Sequence, residues 1–597
     1  MSGRRMSGRR TSAHAIWTAA LVLFAAGAGC SVLISGGPTN VCESDDDCSS
    51  ARCDLDRSMC VSEPSGSYQV GLEVVPAQDP LGGTVLPVSF APFDLAAVGE
   101  RDLELPLGTS TMGHVRDIQT GASVAANMRL SMISAIPGGP TVDVDVQAVN
   151  EASEDPRRDG MLVNFATQIL PGRRYQLVVQ PTGEWRAKRP PIRPMAEYLS
   201  PEAGVARIDF LTYPNFCSVP EQSAPPSDGC LVRVQGVVVD AEGATQDGLI
   251  LRAVTASGRV LSSTMVTGEN AELGAGRFEL VMFQADWASA DGWFLEITPS
   301  AERIEAEGPA PTFTVDPAGL YEEAGIVTVL MPSTAAIVTY EGWVDAASGA
   351  PLDGASLRFT STDIVDDATG VVGRFSATAT TEAGRYQVRL LPGTYDVLVT
   401  PPAREANLAV HRLSGVLISA PASGSMTVGG MLFEVPERVP LGGTVRTVMG
   451  EGMLDAQVRA NPRGTTFGDP PVEVARFARA AVTATDLDGR FALPLDVGVY
   501  DLVFEPPVGS NFPWLVLPDN PIRSDSPVTS VYDLQNPVVL SGTARFTGEG
   551  DLIPVNGGEI RAYAVLEGSD GRSRAVQIGR ASIDADGRYT LLLPPSL

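Results

Sequence analysis

Lysine is all but missing from this chain: Lys188 is the only one in 597 residues. Arginine and that lysine give 43 basic side chains against 71 acidic ones, for a formal net charge of −28. The bases form no stripe or patch, which excludes a nucleic-acid partner, because holding phosphate takes clustered cations. The acids are spread along the chain, with Asp45, Asp46 and Asp47 the tightest group, and serve solubility through self-repulsion. Histidine is also scarce, at His14, His114 and His411. These have no HExxH spacing, so zinc hydrolase chemistry of that kind is excluded. No G-x-S-x-G elbow, Walker loop or Rossmann glycine fingerprint occurs. With no constellation that defines a site, no catalytic residue, metal ligand or cofactor is expected, and the chain reads as a non-enzyme.

The composition that remains is that of folded β structure. Hydrophobic residues make up 44% and charged residues 19%, enough apolar material for cores. The 61 Gly and 46 Pro are scattered, as in short strands joined by turns. No long amphipathic helical pattern interrupts them. The length points to roughly four to six domains.

The first thirty residues read as a targeting segment. Arg4, Arg5, Arg9 and Arg10 form a positive start, and Ala15 to Ala26 is an apolar run too short to span a bilayer as a helix. Gly27-Ala28-Gly29-Cys30 follows and resembles the bacterial lipobox, with Gly27 where that family usually has Leu. The resemblance implies a lipidated Cys30 as the mature N-terminus. The competing reading is ordinary cleavage after Ala26-Gly27-Ala28. Cysteine parity favours the lipid: of seven Cys, six remain once Cys30 is modified, an even number that suits an oxidising compartment.

Those six are Cys42, Cys48, Cys53, Cys60, Cys217 and Cys230. The first four lie in a segment too poor in apolar residues to fold on a core, so two disulfides are expected there. Their connectivity stays open. The spacing lacks the CxxC pairs of a zinc site. Cys217 and Cys230 are expected to close a local loop around Pro225 and Pro226.

A degenerate repeat of one small domain's length organises the rest. Its clearest copy runs from Tyr340 to Pro401. Gly342-Trp343-Val344 opens it, and Gly349 to Gly354 is a turn cluster between two alternating runs, hence a hairpin. Tyr386, Val388 and Leu390 alternate with polar residues, so one face is buried. Leu391-Pro392-Gly393 makes a tight turn into a returning strand of Tyr395, Val397 and Val399, which Pro401 ends because it cannot donate to a ladder. The same grammar recurs after Gly113, Gly236, Gly443 and Gly542. It places Tyr175 and Tyr500 where Tyr395 stands, with Trp293 replacing the tyrosine in the Gly236 copy. These residues resemble the carboxypeptidase regulatory-like (transthyretin-like) domain, a small β-sandwich usually attached to something else. The likeness is best over Gly342–Pro401.

Asp486-Leu487-Asp488-Gly489 and Asp584-Ala585-Asp586-Gly587 hint at calcium, but lack the further carboxylates of an EF-hand loop and read as turns before a strand. With one lysine, the Lys–Asn isopeptide bonds of related sandwich domains are not available as a general device. Trp185, Trp287, Trp293, Trp343 and Trp514 are too scattered for one stacking platform, and Trp293 reads as core.

The expectation is therefore an all-β chain: tandem antiparallel β-sandwich domains, Ig-like or transthyretin-like, after a short disulfide-rich N-terminal segment. The expected units are 1–30 (signal), 31–67 (linker and cysteine-rich segment), 68–230, 231–335, 336–436, 437–537, and an incomplete 538–597. Functionally this is a non-catalytic, lipid-anchored cell-envelope protein at the outer membrane, on its periplasmic or surface side. It serves as a spacer or interaction scaffold whose only definite partner is the membrane. A glycan- or protein-binding adhesin is the first alternative and a hydrolase with an unrecognised site the second. One loose end concerns Tyr68, Val70, Leu72 and Val74, followed by Pro76. They look like a returning strand with no unit before them, while the last copy reaches Leu593-Pro594-Pro595 without one. The favoured expectation is that Tyr68 begins its own sheet. The other is that it completes the last copy, within the chain or between molecules.

Overall fold

The computed structural model describes residues 38–597 apart from 49–50, 66–67, 79–84, 98, 155–161, 195–196, 203, 209–210, 218–228, 241, 290–291, 308–311, 316–325, 332–336, 363, 367–370, 420–426, 464–476, 525–528, 548–551 and 569–570. Its cores lie between pairs of sheets, and every sandwich repeats one seven-stranded plan.

The plan is plainest around Gly342. Seven strands follow one another: Val338–Ala346, Ser356–Ser361, Val371–Thr380, Arg385–Leu390, Gly393–Thr400, His411–Ile418 and Thr427–Val435. One sheet has the order fourth–first–seventh, with the seventh parallel to the first. The other has the order third–second–fifth–sixth, all antiparallel. Alternation along each strand turns Tyr386, Val388, Leu390, Tyr395, Val397 and Val399 inward, where all are buried.

The sandwich opened by Gly443 (Val439–Arg446 through Thr529–Asp533) has both sheet orders unchanged. So do those opened by Gly236 (Leu231–Val239 through Ile326–Leu330) and by Gly113 (Thr109–Gly113 through Ala206–Ile208). By chain order these are the first (Gly113), second (Gly236), third (Gly342) and fourth (Gly443) sandwiches.

The recurring opening glycine has a steric cause. A Cβ on Gly342 would lie 2.5 Å from the Met431 carbonyl oxygen and 2.6 Å from the Tyr386 hydroxyl. Gly113, Gly236 and Gly443 likewise face a fourth-strand aromatic and a seventh-strand carbonyl. The aromatic ring occupies the space a side chain would need. The tyrosine that begins the fifth strand ties back to the preceding turn. Tyr395 Oη donates to the Leu391 carbonyl at 2.8 Å and Tyr500 Oη to that of Asp496 at 3.0 Å.

The fifth sandwich is assembled from two distant parts of the chain. Val538–Thr547, Gly558–Glu567, Ser573–Ser582 and Arg588–Leu593 supply strands one to four. Gln69–Pro76, Val88–Asp94 and Leu103–Pro106 supply strands five to seven. Gln69–Pro76 pairs antiparallel with Gly558–Glu567 over eight residues, from Gln69 opposite Val565 to Pro76 opposite Gly558. Leu103–Pro106 lies parallel to Val538–Thr547. Both sheet orders match the other copies. The tyrosine tie is reproduced across the gap: Tyr68 Oη donates to the Pro594 carbonyl at 2.6 Å. Gly542 faces the Arg101 carbonyl, and Tyr589 Oη donates to that same oxygen, as Tyr386 does to Met431.

Two expectations are corrected here. Tyr68 does not open its own sheet, and residues 69–106 do not belong with 107–230. The last copy is not left incomplete, because its missing strands come from the N-terminal side. The physical reason is edge pairing: strands two and one of the last copy each present a ladder edge that strands five and seven satisfy.

This split sandwich joins its neighbours at both ends of the series, so the five sandwiches form a closed circuit. Residues 107–108 lead directly from it into the first sandwich. There the Ala575 amide donates to the Gly138 carbonyl at 3.2 Å, and Ile136 packs over Gly71. First and second meet through Tyr213 and Phe283, stacked with centroids 6.4 Å apart, beside the Cys217–Cys230 disulfide. Second and third share one continuous sheet. Thr312–Val315 pairs with Val371–Thr380, and Phe313 stacks on Phe375 at 4.6 Å. Third and fourth are bolted by Asp496, and fourth and split by arginines, as described below.

Val70, Leu72 and Val74 are fully buried in the split sandwich. Leu72→Ala should cost about 2–5 kcal/mol, as for other buried leucines. The loss should speed amide exchange in Gly558–Glu567, the partner strand. A strand that sits on a sheet of its own would leave exchange in that segment unchanged.

Candidate functional site

The N-terminal cysteine segment folds as a small knot around two crossed disulfides, Cys42–Cys53 and Cys48–Cys60. A short hairpin, Arg52–Asp54 against Met59–Val61, carries two of the cysteines. The sulfurs of Cys42, Cys48 and Cys60 lie within 4.8 Å of one another, a spacing that could suit a metal. All three are consumed in disulfides and are not thiolate ligands. Cys30, the expected lipidation site, lies outside the described residues.

The knot docks on the fourth sandwich through Asn40. Its amide donates to the Ser510 carbonyl at 2.8 Å, and its side chain donates to the carbonyls of Cys60 (2.8 Å) and Asn511 (3.2 Å). The chain then runs along the split sandwich, with the Ser62 amide on the Pro537 carbonyl and the Ser65 amide on that of Pro595. A small cavity of about 50 Å³ remains between knot and sandwich, lined by Asn40, Asp47, Thr447, Glu451 and Asn536 among others. The Asn536 side-chain oxygen is buried there without a hydrogen-bond partner. The space is enough for water.

Beside the knot a larger open cleft, about 790 Å³, separates the fourth and split sandwiches. The loop Pro506–Phe512 and Trp514 line one wall, and Arg580, Asp584, Arg588 and Tyr589 the other. Its charges are paired. Glu505 takes Arg459 at 2.6 Å and Arg580 at 2.7 Å, and both guanidiniums flank the Trp514 ring, at 5.0 and 5.9 Å. Deeper in the junction Arg574 bridges Asp501 (2.8 Å) and Asp519 (2.6 Å). Arg574 and Arg580 belong to the split sandwich and the carboxylates to the fourth, so these pairs fasten the two together.

Asp496 performs the same task between third and fourth. It is fully buried, and its carboxylate accepts from Arg438 (2.9 Å), from both the side chain and the amide of Arg479 (3.0 Å each), and from the Val410 amide (2.9 Å). Arg479 also reaches the Leu408 carbonyl. Burial pushes the Asp496 carboxyl up, but the bonds from Arg479, Arg438 and Val410 outweigh it and hold the pKa below the ordinary carboxylate value.

His114 and His411 sit on different sandwiches. His114 Nε2 is 2.9 Å from Ser123 Oγ, and burial followed by Arg116 and Arg207 lowers its pKa. Burial alone lowers that of His411. Asp486 and Asp584 act within their turns: each accepts the backbone amides two and four residues on, at 2.8–3.0 Å. Trp293 is buried beside Trp287 at 5.5 Å, whereas Trp343 is half exposed under Arg385 at 5.2 Å. Sequence reading did not find the docking role of Asn40, the Asp496 cluster or the arginines of the fourth–split junction. Charged residues at a domain joint carry no local pattern that separates them from solvated ones.

Comparison with known proteins matches the chain to no family model, and to no curated protein by sequence. Among solved structures, the TIE protein of Bacillus anthracis aligns at 10% identity over 69% of this chain and 68% of its own, with a TM-score of 0.17. A streptococcal ancillary pilin aligns at 12% over 51% of this chain and 99% of its own (TM-score 0.20). BcpA, the major pilin subunit of Bacillus cereus, aligns at 8% over 51% and 99% (TM-score 0.14). At these scores the likenesses carry no functional argument.

Asp496→Asn should destabilise the fourth sandwich, together with its junction to the third, by about 3–5 kcal/mol, the cost of breaking a buried ion pair. Because the native pKa is depressed, the stabilisation is present above the unfolded value, about 3.9, and is lost as pH falls through the native one. Thermal melts of wild type and variant should therefore differ at pH 7, begin to converge below about pH 4, and meet only once the pH lies below the depressed native pKa. A gap that persists in acid would assign the effect to packing.

Proposed function

We propose that this protein is a non-catalytic, lipid-anchored cell-envelope protein that works as an interaction scaffold. The observation that carries the reading is the closed circuit: one sandwich plan used five times, with the last use borrowing strands from beside the knot. A circuit holds its members close together and fixes their spacing. It suits a frame that presents loops better than a stalk that gains length, so scaffold is preferred to spacer. Three disulfides favour an oxidising, exported setting. The targeting segment and Cys30 supply the anchor, and the outer membrane is the compartment this implies. The copies keep their resemblance to the carboxypeptidase regulatory-like domain, in that family an accessory module.

The roomy cleft between the fourth and split sandwiches favours a second reading, capture of a glycan or protein segment by sandwich-end loops. A glycan-array signal abolished by shortening the Pro506–Phe512 loop would support it over the first.

The anchor is tested by mass spectrometry of the N-terminal peptide. The expected result is a lipid-modified Cys30, with Cys30→Ala moving the protein from the detergent phase to the aqueous phase. A free N-terminus at Gly29 with no lipid would defeat this part of the reading.

A further inference from the structure

Large apolar side chains are exposed at the knot end of the molecule. Val41 and Leu55 of the knot are 54% and 69% exposed, Met449 is 66% exposed, and Val508 is fully exposed. They come from three separate segments. Met449 tips the turn between the first two strands of the fourth sandwich, and lines the same small cavity as Val41. Val508 tips the loop whose Ser510 and Asn511 carbonyls hold Asn40. Leu55 lies in the hairpin turn two residues after Cys53, which is bonded to Cys42 beside Val41. The Asn40 contacts thus bring apolar tips that are hundreds of residues apart in sequence onto one rim.

We propose that this rim is a membrane-contact surface that settles into the interface of an uncharged, zwitterionic lipid leaflet. The proposal rests on the lipid anchor at Cys30. Of two observations, one selects lipid as the occupant and the other selects the kind of leaflet. The first is reach. Eight residue steps separate Cys30 from Pro38, so even a fully extended chain spans only about 26–29 Å. A lipid on Cys30 therefore keeps the knot, and with it the rim, within about one bilayer-core thickness of the surface. The second is charge. Residues 38–65 contain seven carboxylates and two arginines. That balance opposes an anionic leaflet and leaves apolar burial as the attraction. Asp45 and Asp47 are turned to local work, accepting the Cys53 amide at 2.6 Å and the Glu43 and Ser44 amides at 2.8 and 2.9 Å. With the rim down, the third sandwich, which the fourth separates from the split one along the circuit, is free to meet partners.

Hydrogen exchange on the full mature chain tests this. The lipidated protein in phosphatidylcholine–phosphatidylethanolamine vesicles is compared with Cys30→Ser protein free in buffer. A second arm replaces Cys30 with a hexahistidine tag held by nickel-chelating lipid, so that failure of native lipidation does not decide the result. The expected outcome in both arms is several-fold slower exchange around Met449 and Val508 on vesicles. Protection should weaken when phosphatidylglycerol is added. It should vanish when Val41, Leu55, Met449 and Val508 are together changed to Ser, with the melting temperature of the soluble protein unchanged. Equal exchange on and off tethered vesicles overturns the proposal. Protection that survives the four serines, or that requires an added envelope protein, overturns it as well.

Discussion

The antiparallel ladder between Gln69–Pro76 and Gly558–Glu567 is the contact on which the rest of the arrangement depends. It turns a line of sandwiches into a circuit. Its inner face is apolar, with Val70, Leu72 and Val74 against Ile560, Ala562 and Ala564. On its other face Glu73 is buried, accepting from Tyr563 Oη at 3.0 Å with Arg561 at 3.4 Å. A buried carboxylate that needs one hydroxyl from the diagonal position across the ladder discriminates against a slip by one residue, which would also turn the apolar face outward. The joint is therefore specific in register as well as strong.

The other junctions solve the same problem with different chemistry. Between second and third the backbone itself continues, strand to strand, and a stacked phenylalanine pair covers the seam. Between third and fourth, a carboxylate held by two arginines accepts the Val410 amide across the joint, and one of those arginines reaches the Leu408 carbonyl. Between fourth and split, arginines lie against a tryptophan face and reach across to acids. Guanidinium suits these places, since it is planar, always charged and able to bond while stacked. A chain that uses arginine for nearly all its positive charge has this tool at every joint.

Much of the sandwich plan was legible. The glycine openings, the aromatic of the fourth strand and the tyrosine of the fifth are locked together sterically, so each constrains residue type at a fixed spacing. The three disulfide partners were also within reach, although Cys42–Cys53 and Cys48–Cys60 could not be chosen over other pairings. The split sandwich was visible only as two loose ends, a returning strand at Tyr68 and a turn at Pro594. Alternation tells which face of a strand is buried but not which strand lies beside it, and a partner nearly five hundred residues away leaves no local trace. The rim around Asn40 was invisible for the same reason. Single exposed apolar residues are ordinary on any surface, and only the docking of the knot brings these four onto one end.

The split sandwich also fixes an order of events in time. Strands five to seven of that unit are made first, and their partners last. At about 5–20 residues per second, roughly 25–100 s pass between the synthesis of Pro76 and that of Gly558. Until then Gln69–Pro76 is paired only on the side of Val88–Asp94 and its other edge is open, while the four intervening sandwiches have time to form from local pieces. Contacts of such long range are slow to find and prone to wrong partners. A chain cut short between Asp533 and Gly558 would keep four sound sandwiches and leave Gln69–Pro76 with an open edge, a feature that proteases and holding chaperones recognise. Closure of the circuit thus reports that both halves of the split sandwich have been made.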